Sequence, residues 1–301
     1  MSQAGPERQP PSIGETWLRF WFVPAAPRPL AVVRILTGLL GLLLTWSYAG
    51  DLTAWFGPDG MIPRDVAMAW RPRWGLSLYD LAATPAAVTA LFAATIVALV
   101  ALTIGLGSRL AAVAAAALWA SLLHRGPMLA GPADDCLAVL LWCLAVGPCG
   151  GDLSLDRLLK GRERGGTPTP SSWARVALGL LHVHASAITL AAVLAQLKGD
   201  AWWNGSAAWW LASRAGAIDL RDAYRGSEYL MNFITHAIVA FEVAFAAGVW
   251  FSATRRTVAR IALVAWPVIG LLAGEPLWGL AMAVFAVPLA DVVPRGTDSL
   301  L

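Results

Sequence analysis

Long apolar runs separated by short polar turns set the pattern of this chain. Eight runs read as helical passages through a bilayer, at 29–50, 85–104, 109–124, 132–149, 173–198, 231–251, 258–273 and 276–292. A helix needs roughly 20 apolar residues to cross, at about 1.5 Å per residue. Pro29 and Pro85 stand at helix starts, where a missing N–H is harmless. GLGSR at 105–109 separates the second and third runs. GEP at 274–276 separates the last two, which are short and predict either a hairpin or one kinked passage, and Trp266-Pro267 predicts a kink in the seventh. No run alternates with period two, so a transmembrane barrel is excluded. The expected fold is an all-α polytopic transmembrane helical bundle of about eight spans with interfacial amphipathic segments.

The fifth run is the most informative. Its apolar sequence carries His182, Ser186, Thr189 and Gln196, spaced 4, 3 and 7. At about 100° per residue these four share one helical face. Such a stripe cannot face lipid, so it must look into protein or a wet cavity. The run ends in Gly199-Asp200, followed by paired tryptophans.

Composition agrees with membrane residence. The 301 residues are 58% hydrophobic and 14% charged, with mean hydropathy +0.62, against about 25% charged residues in soluble domains. A polar, Pro-rich segment covers 1–28; it has no signal-peptide arrangement, and within it GETWLRFWF reads as an amphipathic helix lying in the interface. The transmembrane domain would cover 29–292 and a short tail 293–301. With eight spans, twelve of the 22 basic residues fall on the N-terminal side and seven on the other, the remaining three being Arg34, Arg175 and Lys198 in or beside spans. That bias favours a cytoplasmic N-terminus in an inner membrane. SLDRLLKGRERGGTPTPSS reads as a flexible cytoplasmic linker. Segments 51–84 and 199–230, both rich in tryptophan, are expected to lie on the opposite surface and roof the bundle. The net charge of +3 comes without a basic block, which excludes a nucleic-acid partner.

Ionisable groups inside spans mark candidate chemistry. Glu242 lies near the middle of FITHAIVAFEVAFAAGVWF, with Thr235 one heptad earlier and Asn232 and His236 on a neighbouring arc. It serves either a function or a structural pairing with Arg34 or His182. Arg34 shares a face with Thr37, Gly38, Gly41, Thr45 and Tyr48; it faces inward or snorkels to the cytoplasmic interface. His182 and His184 point to nearly opposite faces, so no metal site is expected. Asp134 and Asp135 start the fourth run, where the helix dipole favours carboxylates, and His124-Arg125 could pair with them across the turn. Cys136, Cys143 and Cys149 match no metal or redox spacing and read as small buried hydrophobes. P-loop, Rossmann, GxSxG and HExxH patterns are absent.

Several stretches together resemble the horizontally transferred transmembrane (HTTM) family, which includes the membrane part of vitamin K-dependent gamma-glutamyl carboxylases. They are LAVVRILTG followed by FGPDGMIP, RGPMLAGPADDCLAVLLW leading to LSLD at 153–156, AQLKGDAWWNGSAAWWL, and THAIVAFEVAF. The resemblance runs over roughly 29–292. Carboxylases of the family look to use a lysine before Leu-x-Gly as the base in vitamin K hydroquinone chemistry. Here Gln196 holds that place, and a neutral amide is no general base. Lys198 lies about 200° further round the helix; it substitutes only if the helix unwinds before Gly199, and otherwise is a snorkelling charge. Trp266-Pro267 stands where many relatives have a histidine. The carboxylases also look to carry a large extra-membrane domain, which is not expected here.

The resemblance implies a membrane protein that binds or acts on a quinone or hydroquinone. His182, Gln196, Lys198 and Glu242 are the candidate catalytic residues, and Arg34, Trp202, Trp203 and His236 the candidate cofactor-binding ones. A wedge between the fifth and sixth spans, lined by His182, Gln196 and Glu242, is the expected site. The expected partners are the lipid bilayer and a lipid-like small molecule. A non-catalytic lipid- or partner-binding protein and, less favoured, a transporter are the alternatives.

Overall fold

The computed structural model describes residues 12–161 and 168–291. Residues 1–11 of the N-terminal segment, 162–167 of the linker and the tail 293–301 lie outside the described residues. Among the described residues the fold is all helical and without strands. In chain order the helices are α1 (Ile13–Phe22), α2 (Arg28–Ala49), α3 (Leu52–Phe56), α4 (Arg64–Trp70), a 3-10 turn (Leu78–Leu81), α5 (Pro85–Ile104), α6 (Ser108–Arg125), α7 (Pro132–Val146), α8 (Leu155–Gly161), α9 (Ser172–Gln196), α10 (Asp200–Trp203), α11 (Ala207–Ala212), α12 (Arg221–Gly226), α13 (Glu228–Gly248), α14 (Ser252–Leu272) and α15 (Pro276–Ala286). Four of them, α2, α5, α9 and α13, are long and apolar enough to cross a membrane.

Helix ends follow local chemistry. Ser12 and Glu15 form a reciprocal capping box at the start of α1. Thr84 caps α5 ahead of Pro85, and Gly105 ends that helix in the left-handed region at φ 78°. Asp156 caps α6 from a distance: its carboxylate accepts from the Gly107 and Ser108 amides at 2.8 and 2.9 Å and from the Ser108 hydroxyl. α14 begins at Ser252 rather than 258. Hydropathy marks only the oily part of a helix, and the arginines of its first turns are good helix formers.

α2, α5, α6 and α7 pack as one group; α9, α13, α14 and α15 form a second, and α2, α7, α9 and α15 join the two. Small residues allow the closest approaches. A Cβ on Gly38 would meet the Thr103 hydroxyl, and one on Gly41 would meet Leu99 at 2.7 Å. α14 and α15 form a hairpin rather than one kinked passage. Gly270 and Gly279 face each other there, and a Cβ on Gly279 would lie 2.5 Å from the Trp266 carbonyl. Pro267 is accommodated within α14. Cys136, Cys143 and Cys149 are buried free thiols.

The two tryptophan-rich segments dock on the same end of the bundle. α3, α4 and the 3-10 turn sit against α5 and α6, and α11 sits against α13 and α14. Ser77 donates to the Ser121 carbonyl at 2.6 Å, and the Ile218 amide donates to the Leu271 carbonyl at 3.2 Å. At the opposite end α1 lies along α9, with Ile13, Trp17, Leu18 and Phe22 exposed.

Candidate functional site

α9 and α13 run antiparallel and pack directly. Each turns its polar stripe toward the bundle: His182, Ser186 and Thr189 of α9 and Thr235 and Glu242 of α13 are buried, while Gln196 is half-buried. Ser186 donates to the Ala246 carbonyl at 2.8 Å and accepts from Trp250 Nε1 at 2.9 Å, which fixes the register. Side chains on a helix lean toward its N-terminus, so in an antiparallel pair Gln196 and Glu242 lean toward one another. The Gln196 side chain approaches the Glu242 carboxyl.

That contact leaves acceptors over. Glu242 is 1% exposed, yet its Oε2 has no partner, nor has Gln196 Oε1. A buried polar group without a partner costs about 1–3 kcal/mol, and more when charged. Aromatic rings wall this part of the bundle: Trp266, fully buried, meets Phe241, Phe245 and Trp278 edge-on at 5.2, 5.7 and 5.5 Å. Its Nε1 is also unpartnered.

His182 belongs to the same seam but sits nearer its other end. Gln196 lies 14 residues beyond it, roughly 21 Å along the helix. The imidazole stacks on Trp250, with ring centroids 4.3 Å apart, and contacts Phe20 of α1 at 5.7 Å. His182 Nε2 has no partner. His184 lies on the other face, with Nδ1 2.8 Å from the Leu180 carbonyl.

The other sequence candidates fall elsewhere. Arg34 is completely buried but does not pair with Glu242. It donates from Nη1 to the Leu102 carbonyl at 2.8 Å and from Nη2 to the Leu153 carbonyl at 2.6 Å. Arg34 therefore closes the end of α5 and holds the loop before α8, rather than snorkelling or facing the seam. Lys198 is exposed beyond the last turn of α9. Trp203 is exposed and donates to the Leu197 carbonyl at 2.9 Å, whereas Trp202 is half-buried against the core. His236 is exposed, with Nδ1 2.8 Å from the Asn232 carbonyl. Arg125 donates to the Gly57 carbonyl at 3.0 Å, and His124 Nδ1 lies 2.8 Å from the Leu76 carbonyl. Neither therefore crosses the turn to Asp134, whose carboxylate accepts from the Gly131 amide at 2.8 Å.

The roof over the seam is pinned by one hydroxyl. Thr235 donates to the Gly205 carbonyl at 2.8 Å and accepts from the Ala208 amide at 3.0 Å. Gly205 has φ 78°, and a Cβ there would overlap the Asn232 side chain, so both its conformation and its closeness to α13 require glycine. In the same roof Asp219 is held well below the usual carboxylate range by hydrogen bonds from Arg221. In the other roof segment burial pushes the Tyr79 phenol up to about 12, and Arg71 and Asp80 pair at 2.5 Å.

Sequence reasoning overlooked Trp250 and Phe20, whose rings meet His182, and Trp21, which packs on Gly179 of the same helix. A tryptophan at the end of an apolar run reads as a headgroup anchor, and only the docking of α1 and α13 on α9 places these rings together. Among the described residues no cluster of metal-ligating side chains occurs. Comparison with family models, with curated proteins and with solved structures returns no match.

Proposed function

We propose that this chain is an eight-passage inner-membrane protein with a cytoplasmic N-terminus that binds a quinone-like lipid in the seam between α9 and α13. Four passages are α2, α5, α9 and α13; the proposal adds α6, α7, α14 and α15. The observation that carries the binding reading is the pair of buried, unpartnered oxygens on Glu242 and Gln196. In this reading both meet the polar head of a molecule whose body lies among Phe241, Trp266 and the bilayer chains. An amphipathic ligand suits that division, because its apolar body needs no partner while its head satisfies acceptors that are otherwise stranded. The HTTM resemblance motivates the quinone class. Carboxylation is not part of the proposal: Gln196 has no basic nitrogen, and Lys198 is exposed beyond the helix end.

Mass spectrometry of lipid extracted from the purified full-length protein tests this reading. One quinone per chain in the native protein, and its loss in Glu242→Ala, is the expected result. Bulk phospholipid alone in both would overturn it in favour of a non-catalytic scaffold.

A further inference from the structure

Leu153, in the loop before α8, has a backbone that its residue type does not favour. Its φ is 47°, in the left-handed region, where a Cβ crowds the backbone and glycine or asparagine is the usual occupant. Two bonds hold it there. Its carbonyl accepts from Arg34 Nη2 at 2.6 Å, and its amide donates to Asp152 Oδ1 at 2.9 Å. The side chain gains little burial in return, being 46% exposed. A leucine kept in a disfavoured conformation with its side chain turned outward is marked for work at the surface, since strain of this kind collects where ligands are held.

Leu153 lines an open groove of about 670 Å³ together with Ile104 of α5 and Leu155 and Leu158 of α8. Sites for small molecules span about 300–1,000 Å³. Bonds between these elements fix the groove. The Asp156 amide donates to the Gly105 carbonyl at 3.1 Å, and Arg34 ties the Leu102 and Leu153 carbonyls together. Gly105 lets the loop come this close, because a Cβ there would lie 2.5 Å from the Ser154 Cβ. The groove is continuous with surface that faces lipid. α5 is long and apolar enough to cross a membrane, and Val97, Val100 and Ile104 form an exposed apolar stripe along it at helical spacing. Ile104 ends that stripe and lines the groove as well. The polar groups at the rim already answer one another. Asp152 accepts from Arg157 Nη1 at 3.0 Å and lies 4.0 Å from Arg28 Nε. The Ser154 hydroxyl donates to the Gly150 carbonyl at 2.7 Å and accepts from the Arg157 amide at 3.1 Å. An incoming molecule therefore meets apolar walls and a rim of paired charges.

We infer that the groove between the end of α5 and α8 seats an acyl chain of one bilayer phospholipid, from the leaflet at this end of the bundle, with Leu153 and Leu158 gripping the chain. The chain runs down the α5 stripe, so its seat in the groove extends contacts that the bilayer makes with that helix. Selection is by the chain and not by the headgroup, because the rim offers no charge in search of a partner. The site uses no residue of α9 or α13 and stands whether or not the Glu242–Gln196 pair binds a quinone.

Native mass spectrometry of the full chain in detergent tests the inference, titrating dipalmitoyl phosphatidylglycerol, dipalmitoyl phosphatidylethanolamine and the short-chain dihexanoyl phosphatidylglycerol. One dipalmitoyl lipid should be retained with either headgroup, and the dihexanoyl lipid should not. Leu153→Asn keeps a residue that tolerates the left-handed backbone, and Leu158→Ser changes a side chain that is 72% exposed. Each should weaken retention about fivefold, as expected when part of a leucine's apolar contact is withdrawn. Neither should lower the thermal midpoint in lipid-free detergent, and Leu158→Ser decides the question by itself if the loop variant unfolds. Glu242→Ala should leave retention of the phospholipid unchanged. Retention of the dihexanoyl lipid to the same extent, a strong preference for one headgroup, or retention unchanged in Leu158→Ser overturns the inference.

Discussion

Arg34 and Glu242 are both buried ionisable side chains inside long apolar helices, and the protein treats them in opposite ways. Arg34 is answered by its own fold: two carbonyls, one at the end of α5 and one in the loop before α8, receive its N–H groups. Its burial is a structural solution: it is a second donor to the Leu102 carbonyl, beside the Gly105 amide, and it meets the Leu153 carbonyl in the loop before α8. Glu242 has only the neutral Gln196 side chain near it, and oxygens on both residues remain open. A fold that gives one group two carbonyl acceptors, with only its Nε unpartnered, and leaves oxygens open on both residues of the other pair assigns them different work. The contrast is local to these two groups, since Thr37, Tyr79, Arg125 and Asp134 in the Arg34 half also carry buried polar atoms without a partner.

Substitutions can break or sharpen that contrast. Arg34→Ala should be the most damaging, because it removes a fully buried side chain, takes the donor from the Leu153 carbonyl and leaves a void beside Gly105. A loss on the order of 3 kcal/mol is expected, read as a much lower thermal midpoint of the protein in detergent. Gly279→Ala forces a methyl against the Trp266 carbonyl; overpacking of this kind costs about 2 kcal/mol, checked by the same melt. Thr235→Val removes one donor and one acceptor from the roof clasp. About 1 kcal/mol should be lost, with faster amide hydrogen exchange confined to 205–208. Glu242→Gln should move the midpoint least, by less than about 0.5 kcal/mol, because no buried cation depends on its charge. A Glu242→Gln protein as unstable as Arg34→Ala would erase the distinction and restore a structural ion pair at this site.

Much of this was legible in the residue pattern. The run boundaries at 85–104 and 132–149 land on α5 and α7 to within three residues, because Thr84-Pro85 and Gly131-Pro132 are local start signals that need no tertiary context. The polar stripe of α9 faces inward because the 3.6-residue period alone decides that. Partners were harder to read. Arg34 was offered Glu242 as a counter-charge, but its carbonyl acceptors come from 68 and 119 residues away in the chain, a distance no spacing encodes. His124 and Arg125 likewise bond the roof loop rather than Asp134. His182 and Gln196 share a face, yet helical rise sets them a bilayer leaflet or more apart; a face is a direction, not a place.

The Thr235 clasp has a mechanical consequence. Thr235 and Glu242 sit seven residues apart on one rigid rod, so any tilt of α13 that follows a change at the carboxylate is carried by the hydroxyl to the Gly205–Ala208 turn and from there to α11 and its exposed Trp210. Trp210, 64% exposed and one of sixteen tryptophans, is thereby the place where a single attached reporter would register what happens at Glu242.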